Sequence, residues 1–279
     1  MAIAHINGVS IFYQIIGDHG PWFALNTGGR RSHDEFISLA KKIAAGGFRV
    51  VLHDRRNTGA SEVHIAGSAG EEEIWADDLA ALLKQLNATP AFIGGASSGA
   101  RLSILVNQRH PEIVKALVLI RVTGGDTAAK RLPPKYYGQF IQAAQDGGMR
   151  AVCQTADYQE RIRARPENEA ILMAMSPDTY VQVQTHWLNL FTKGPIYPVM
   201  GVDEATLRAI NVPVFIIPGN DRTHASRNAL DAAKLIPNSV VFQLPIEDQE
   251  IDIISFTDWA PYEAEIAQQV LGFLKGLSK

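Results

Sequence analysis

Cysteine is almost absent from this sequence, since Cys153 is the single cysteine among 279 residues. One thiol excludes an internal disulfide and any metal site that needs several cysteines. A disulfide-stapled fold and a cysteine-based metal centre are therefore ruled out. We expect no metal and no other cofactor.

Long apolar runs and clustered basic residues are also missing. No stretch reaches the roughly 18 consecutive apolar residues of a membrane-spanning helix, and the N-terminal residues lack the basic and apolar regions of a secretory signal. The 26 basic side chains are scattered and the net charge is -3, which argues against a nucleic acid or an anionic membrane as partner. We expect a cytoplasmic protein, monomeric or homodimeric, that binds a small-molecule substrate.

Short hydrophobic segments, in contrast, are plentiful. Hydrophobic residues make up 46% of the chain, which is enough for one large core. Asn7-Gly8 between two apolar segments predicts a β-hairpin at the start of a sheet. After it, short apolar runs separated mostly by helical patterns predict buried strands joined by helical crossovers. These runs are Trp22 to Leu25, Arg49 to Leu52, Ala91 to Ile93, Ala116 to Ile120, Val214 to Ile217 and Val240 to Leu244.

Helical patterns divide the chain into a core and an insertion. Residues 71–86 carry apolar side chains at helical spacing behind an acidic start, Glu71 to Glu73, that suits a helix N-terminus. Residues 263–277 predict a closing helix, and residues 123–210 replace the strand pattern by several amphipathic helices. We predict an α/β fold with a mostly parallel eight-stranded sheet flanked by helices. Its core would comprise residues 1–122 and 211–279, and residues 123–210 would form a helical cap.

The motif that points to chemistry is the turn from Gly95 to Gly99, which reads GASSG and follows the apolar run ending at Ile93. In a sharp strand-to-helix turn, the residues two before and two after an exposed serine must be small. The turn therefore predicts Ser97 as a nucleophile, with the N–H of Ser98 at a helix N-terminus placed to bind an oxyanion. Ser98 is the rival nucleophile, and a tight turn without chemistry is the other alternative.

Three further motifs accompany this turn. They read NTGG at Asn26 to Gly29, HDRRNTGAS at His53 to Ser61 and RHPEIVKALVLI at Arg109 to Ile120. Together with the Gly-x-Ser-x-Gly turn they resemble motifs of the α/β-hydrolase fold superfamily, although Thr27 stands where that superfamily commonly has histidine. The resemblance extends over nearly the whole chain. It implies a second oxyanion donor at the backbone N–H of Gly28 or Gly29.

The same resemblance places a catalytic acid in the turn after the strand that ends at Ile217. The segment from Pro218 to His224 reads PGNDRTH, which makes Asp221 the candidate. The order of nucleophile before acid agrees with that of the superfamily. A simple turn-forming role for Asp221 is the alternative, and Asp126 after the sixth strand is the other candidate position.

A histidine should follow the last strand as general base, but residues 245–279 contain none. A serine without a base is a poor nucleophile. His224, three residues after Asp221, is the first candidate to replace the missing base, and His33 and His186 are two others. Carboxylates of the same segment either act as bases or form a solvated loop. These are Glu247, Asp248, Glu250, Asp252 and Asp258.

Cationic and aromatic residues adjoin the predicted pocket. Arg30 follows the oxyanion glycines and Arg101 follows the serine turn, and an arginine can hold a carboxylate through two hydrogen bonds. Arg30, Arg101, His186 and Trp187 are the predicted substrate contacts. Structural ion pairs are the alternative for the arginines, and aromatic side chains of the cap such as Tyr136 either line the pocket or pack the lid.

Three functions are compatible with these features. The leading hypothesis is a serine hydrolase with an atypical triad that acts on an ester, lactone or related acyl bond of a small organic molecule. A lyase or decarboxylase that uses the oxyanion hole to stabilise an enolate needs no Ser-His pair. A ligand-binding protein that has lost catalysis is the third.

Overall fold

A single sheet of eight strands forms the centre of the computed structural model, which describes residues 2–278. The strands follow the order β1-β2-β4-β3-β5-β6-β7-β8 across the sheet. They are β1 (Ala2–Ile6), β2 (Val9–Ile16), β3 (Trp22–Asn26), β4 (Arg49–His53), β5 (Ala91–Ala96), β6 (Val114–Ile120), β7 (Val214–Ile217) and β8 (Ser239–Val241). This architecture confirms the predicted fold class.

The strands from β3 to β8 run parallel, whereas β2 is antiparallel to both β1 and β4. The carboxyl ends of parallel strands meet at one edge of a sheet, where ligands bind in open α/β folds. The residues that follow β3, β5, β6 and β7 therefore share that edge, and the motifs singled out in the sequence follow three of these strands.

Helices cover both faces of the sheet, and further helices lie in the segment between β6 and β7. They are α1 (Ile37–Ala45), α2 (Glu71–Gln85), α3 (Ser98–Arg109), α4 (Gly125–Pro133), α5 (Gln139–Gln154), α6 (Ala156–Ala164), α7 (Glu167–Met173), α8 (Pro177–Lys193), α9 (Glu204–Arg208), α10 (Ser226–Leu235) and α11 (Glu263–Gly276). One hydrophobic cluster joins the sheet to α2, α3 and α10, and a second joins it to α1 and α11. Alternate residues of β6 enter the two clusters, as Leu117 and Val118 illustrate.

The helices between β6 and β7 form a third hydrophobic cluster, to which Val63 and Ile65 of the segment after β4 also belong. Its buried aromatic side chains include Tyr137, Tyr158 and Trp187, which come from the segment between α4 and α5, from α6 and from α8. In contrast, α9 packs Leu207 into the cluster of the main sheet. The range predicted as the cap thus contains helices that pack together and one that packs on the core.

The last strand is shorter than predicted. β8 ends at Val241 rather than at Leu244, because its neighbour β7 is only four residues long and pairs with it from Val214 to Ile216. The amide of Phe242 still donates to the carbonyl of Ile216 at 2.9 Å. Beyond that residue no partner strand remains.

The close approach of β3 to the start of α3 gives a stability prediction. An alanine at Gly99 would place its Cβ 2.3 Å from the carbonyl oxygen of Asn26, so we expect Gly99→Ala to destabilise the fold by about 1–3 kcal/mol. The control is Gly272→Ala, which adds a methyl group to the exposed side of α11 with nothing within 4 Å. It should stabilise the protein by about 0.5–1 kcal/mol. Urea unfolding followed by circular dichroism measures both, and equal effects would contradict the expectation.

Candidate active site

Ser97 lies between the end of β5 and the start of α3 with φ 57° and ψ -118°. A non-glycine residue at positive φ is strained, and such strain is concentrated at functional sites. Hydrogen bonds on both sides hold this backbone: the Ser97 amide donates to Ile120 at 3.0 Å, and its carbonyl accepts from Ala100 at 3.0 Å. The turn thus has the strand-to-helix geometry that the GASSG motif predicts.

The Ser97 hydroxyl has two polar neighbours. Its Oγ lies 2.8 Å from Nε2 of His224 and 3.0 Å from Oγ1 of Thr123. When Ser97 donates its proton to the imidazole, Thr123 is left as a donor to the serine oxygen. The structure therefore brings the predicted nucleophile together with His224, the first of the three histidine candidates.

Asp221 completes this arrangement. Its Oδ1 lies 2.9 Å from Nδ1 of His224 and also accepts the backbone N–H of His224 at 2.8 Å. With a proton on Nδ1 bound to the carboxylate, Nε2 is free to accept the proton of Ser97. The distances among Ser97, His224 and Asp221 are those of a nucleophile, a base and an acid in contact.

The histidine reaches this position because a tight turn connects it to the aspartate. The amide of His224 donates to the carbonyl of Asp221 at 3.0 Å as well as to its side chain, a local bond pattern favoured by aspartate in turns. Gly219 allows the close approach of His224, since a Cβ at position 219 would lie 2.3 Å from the carbonyl oxygen and 2.5 Å from Cβ of His224. A side chain there would displace the backbone of His224.

The guanidinium of Arg121 hydrogen-bonds to the carboxylate of Asp221. Arg121 follows β6 at φ 52°, donates to Oδ2 of Asp221 at 2.6 Å and to the carbonyl of Ile254 at 2.5 Å, and lies over the ring of Trp259 at 5.0 Å. Burial raises the pKa of Asp221, but the bond from His224, the N–H of Ile254 and the charge of Arg121 outweigh it, so the pKa of this carboxyl lies below its usual range. Asp221 is therefore ionised at neutral pH.

His224 is held in the neutral form. Burial lowers its pKa, the bond to Asp221 raises it, and the positive charge of Arg121 lowers it again, so that the pKa lies below the ordinary value. A general base must be unprotonated to accept a proton. The environment of this imidazole favours that state.

Residues 245–279, which lack the expected histidine, contribute backbone hydrogen bonds to the site. Their backbone runs beside the His224 loop: the amide of Gln249 donates to the carbonyl of Asn220 at 2.8 Å, and the amide of Arg222 donates to the carbonyl of Ile251 at 2.9 Å. The acidic residues considered as bases, Glu247, Asp248, Glu250, Asp252 and Asp258, are exposed, which agrees with the solvated-loop alternative. Asp126 is exposed as well.

The predicted oxyanion donors lie next to the serine. A Cβ at Gly28 would be 3.4 Å from Cβ of Ser97. Among the hydrogen bonds of residues 2–278, none uses the amide of Gly29 or of Ser98. These two N–H groups are therefore free to bind an oxygen, whereas the amide of Gly28 donates to Oε2 of Glu35 at 3.2 Å.

Arg55 hydrogen-bonds both to the oxyanion loop and to the serine turn. Its guanidinium donates to Oγ of Ser98 at 3.2 Å and to the carbonyl of Gly29 at 2.8 Å, while the Ser98 hydroxyl donates to the same carbonyl at 2.8 Å. Burial lowers the pKa of Arg55 to about 10, so the group keeps its charge at neutral pH. The hydroxyl of Ser98 is thus engaged in fixing the loop, which leaves Ser97 as the accessible serine.

The predicted substrate contacts are all engaged within the protein. Arg30 pairs with the buried carboxylate of Glu71, and Arg101 pairs with Glu72. Nε2 of His186 lies 2.8 Å from the carbonyl of Ser68, and the indole N–H of Trp187 donates to the carbonyl of Ala69 at 3.1 Å. Contact of these four residues with a substrate stays a prediction, and it would require these bonds to open.

His33, the remaining histidine candidate, also has another partner. Its Nδ1 lies 3.0 Å from Oδ1 of Asp54 in a buried contact, and its ring packs on Phe12.

No group of three or more His, Cys, Asp or Glu side chains in the described range could hold a metal ion. Within the same range no helix is both long and apolar enough to cross a membrane.

Three residues of the site were not singled out in the sequence: Thr123, Arg121 and Glu35. Arg121 and Thr123 both follow β6. No motif recognised in the sequence includes either residue, and their spacing from other polar residues indicates no role. Glu35 accepts a hydrogen bond from the amide of Gly28, which lies seven residues earlier, and it belongs to a helical turn. Arg55, in contrast, lies inside the HDRRNTGAS motif. The motif therefore indicates that this part of the chain is near the site, but it does not predict which groups Arg55 contacts.

The charge beside His224 gives a titration prediction. We expect the imidazole to titrate below 6.5, and Arg121→Met to shift this titration upward because it removes a cation that lowers the pKa. The control Arg121→Lys keeps a positive charge and should shift it less. Nitrogen-15 NMR of labelled histidine, assigned with His224→Gln, measures the three midpoints. An unchanged or lower midpoint in Arg121→Met would refute the role given to this charge.

Known proteins share this architecture. A sequence model described as alpha/beta hydrolase fold matches residues 21–157. The uncharacterized hydrolase YraK from Bacillus subtilis (strain 168) is 33% identical over 113 residues, which is 40% of this chain and 41% of that protein. The putative carbamate hydrolase RutD from Pantoea ananatis is 34% identical over 73 residues, 26% of each chain. The aligned region thus spans less than half of either relative.

A solved structure extends the likeness to the complete sheet. The enol-lactonase from Burkholderia xenovorans LB400 superposes with a TM-score of 0.66 at 20% sequence identity, covering 98% of this chain and 100% of that one. At this level of identity the likeness concerns the fold. The family match, the strand order and this superposition together show that the chain has the α/β-hydrolase fold.

Proposed function

We propose that this protein is a serine hydrolase that cleaves an ester, lactone or related acyl bond of a small organic molecule. The single observation that carries the proposal is the contact of 2.8 Å between Nε2 of His224 and Oγ of Ser97. A serine hydroxyl becomes a useful nucleophile only beside a base. A protein that merely binds a ligand on the same fold has no need of this contact.

The first half of the reaction is acylation. Oγ of Ser97 attacks the acyl carbon while His224 takes the hydroxyl proton on Nε2, and Asp221 stabilises the resulting imidazolium through Nδ1. The N–H groups of Gly29 and Ser98 bind the oxyanion of the tetrahedral intermediate. When the intermediate collapses, the imidazolium gives its proton to the leaving oxygen, and the acyl group stays on Ser97.

The second half restores the serine. Water attacks the acyl carbon and gives one proton to Nε2 of His224, and the intermediate again places its negative oxygen at the same two N–H groups. Collapse breaks the bond to Oγ, and the imidazolium returns its proton to Ser97. The acid product leaves, and no metal or cofactor takes part in this scheme.

The range of substrates follows from the comparisons only as a class. The compared proteins are named as an enol-lactonase and as a putative carbamate hydrolase, and both names describe cleavage at an acyl carbon. We extend to this chain only that shared chemistry.

A covalent probe tests the nucleophile directly. We expect a fluorophosphonate to label Ser97 and the label to be lost in Ser97→Ala, as mass spectrometry of the intact protein and of its peptides would show. Ser98→Ala serves as the matched control and should keep the label. A folded wild-type protein that stays unlabelled would reject the proposal in favour of a non-hydrolytic or binding function.

Replacing the base gives the second test. His224→Ala should lower kcat for p-nitrophenyl butyrate on the order of 10⁴-fold or more, because serine loses its proton acceptor. His5→Ala, which removes an exposed imidazole on β1, should stay within a few-fold of wild type. Similar rates for both variants would show that His224 is not the base.

A further inference from the structure

One buried side chain above the oxyanion glycines has a polar group without a partner. Tyr136 belongs to a π-helical turn, Pro134–Gly138, between α4 and α5, and turns of this kind are frequent at functional sites. The residue is 8% exposed. Its ring meets Phe191 edge-on with 5.9 Å between centroids, and the guanidinium of Arg30 lies 5.3 Å from its centroid.

The hydroxyl of Tyr136 points at the oxyanion loop. It is the nearest neighbour of a Cβ built on Gly29, at 3.6 Å. No hydrogen bond among residues 2–278 involves it, whereas the adjacent Tyr137 donates its hydroxyl to Oε2 of Glu71 at 3.1 Å. The side chain is buried, but its hydroxyl oxygen keeps some accessible surface. The donor of this hydroxyl is therefore available for a bound molecule.

The phenol remains a donor across the working range of a histidine base. Burial raises the pKa of Tyr136, and the positive charges of Arg101 and Arg30 oppose that rise without cancelling it. The group is therefore neutral and carries its proton where His224 is unprotonated. A neutral donor in a buried pocket gains strength when the oxygen it faces becomes negative.

We propose that the Tyr136 hydroxyl is a catalytic donor that hydrogen-bonds the acyl oxygen of the substrate beside the N–H of Gly29. This inference rests on the proposed hydrolase function and assigns it a third oxyanion donor, supplied by the helical segment above the sheet rather than by a backbone amide. It also gives that segment a direct part in the reaction. Its helices then do more than shield the pocket.

The two neighbouring tyrosines provide a matched pair of variants. Tyr136→Phe should lower kcat for p-nitrophenyl butyrate on the order of 10²-fold, with a smaller change in KM and an unchanged Tm, because its hydroxyl has no partner in the protein. Tyr137→Phe removes a bond to a buried carboxylate, so it should lower Tm while kcat stays within a few-fold. The opposite pattern would overturn the proposal.

A second readout follows the oxyanion itself. Phenylboronic acid forms a tetrahedral adduct with an active serine, and one adduct oxygen occupies the oxyanion position. Its inhibition constant should rise in Tyr136→Phe by roughly the factor by which kcat falls, and it should not change in Tyr137→Phe. Unchanged inhibition together with unchanged kcat in Tyr136→Phe would show that the hydroxyl takes no part in the reaction.

Ser97→Ala, assayed in parallel, separates the two proposals. If this variant loses turnover while Tyr136→Phe keeps it, the tyrosine proposal fails and the hydrolase function stands. If Ser97→Ala keeps turnover, the serine mechanism fails whatever the tyrosine variant does. A wild-type protein that neither hydrolyses the ester nor binds the boronate would reject both.

Discussion

The carboxylate of Asp221 joins the parts of the molecule on which the active-site geometry depends. One oxygen accepts the backbone N–H of His224 and lies against its Nδ1, and the other accepts from Arg121 and from the N–H of Ile254. Burying a charge without such partners would cost several kcal/mol. Because both oxygens are bonded, the loops after β6, β7 and β8 are fixed relative to one another around this group.

This arrangement accounts for the missing histidine. In the superfamily that the sequence resembles, the base is expected after the last strand, but here the segment after β8 contributes backbone hydrogen bonds to the loop after β7. His224 lies in that loop, where the turn at Asp221 and the small Gly219 allow its backbone to approach closely. If His224 is the base, as we propose, its position in the chain differs from that of the superfamily, while its distance to the serine oxygen is that of a normal hydrogen bond.

Features that depend on neighbouring residues were predictable from the sequence. The strands and the GASSG turn follow from local apolar runs and small residues. Each predicted run overlaps a strand, but β5 continues to Ala96, β6 begins at Val114 and β8 ends at Val241. Contacts between distant segments of the chain were not predictable from the sequence. The acidic residues at the start of α2 predict a favourable helix N-terminus, yet Glu71 also pairs with Arg30, which lies 41 residues earlier. That pairing decides whether Arg30 is free for a ligand, and it depends on tertiary packing.

Asp221 and His224, the acid and base of the proposed mechanism, lie three residues apart in one short turn instead of in two separate loops. Their mutual orientation is therefore set by local backbone geometry and would survive a shift of the whole segment. Two residues outside the turn complete this geometry, namely Gly219 by its lack of a side chain and Arg121 by its charge. The segment after β8 meets the turn through backbone groups of Gln249, Ile251 and Ile254, so these three contacts do not depend on the identity of its side chains.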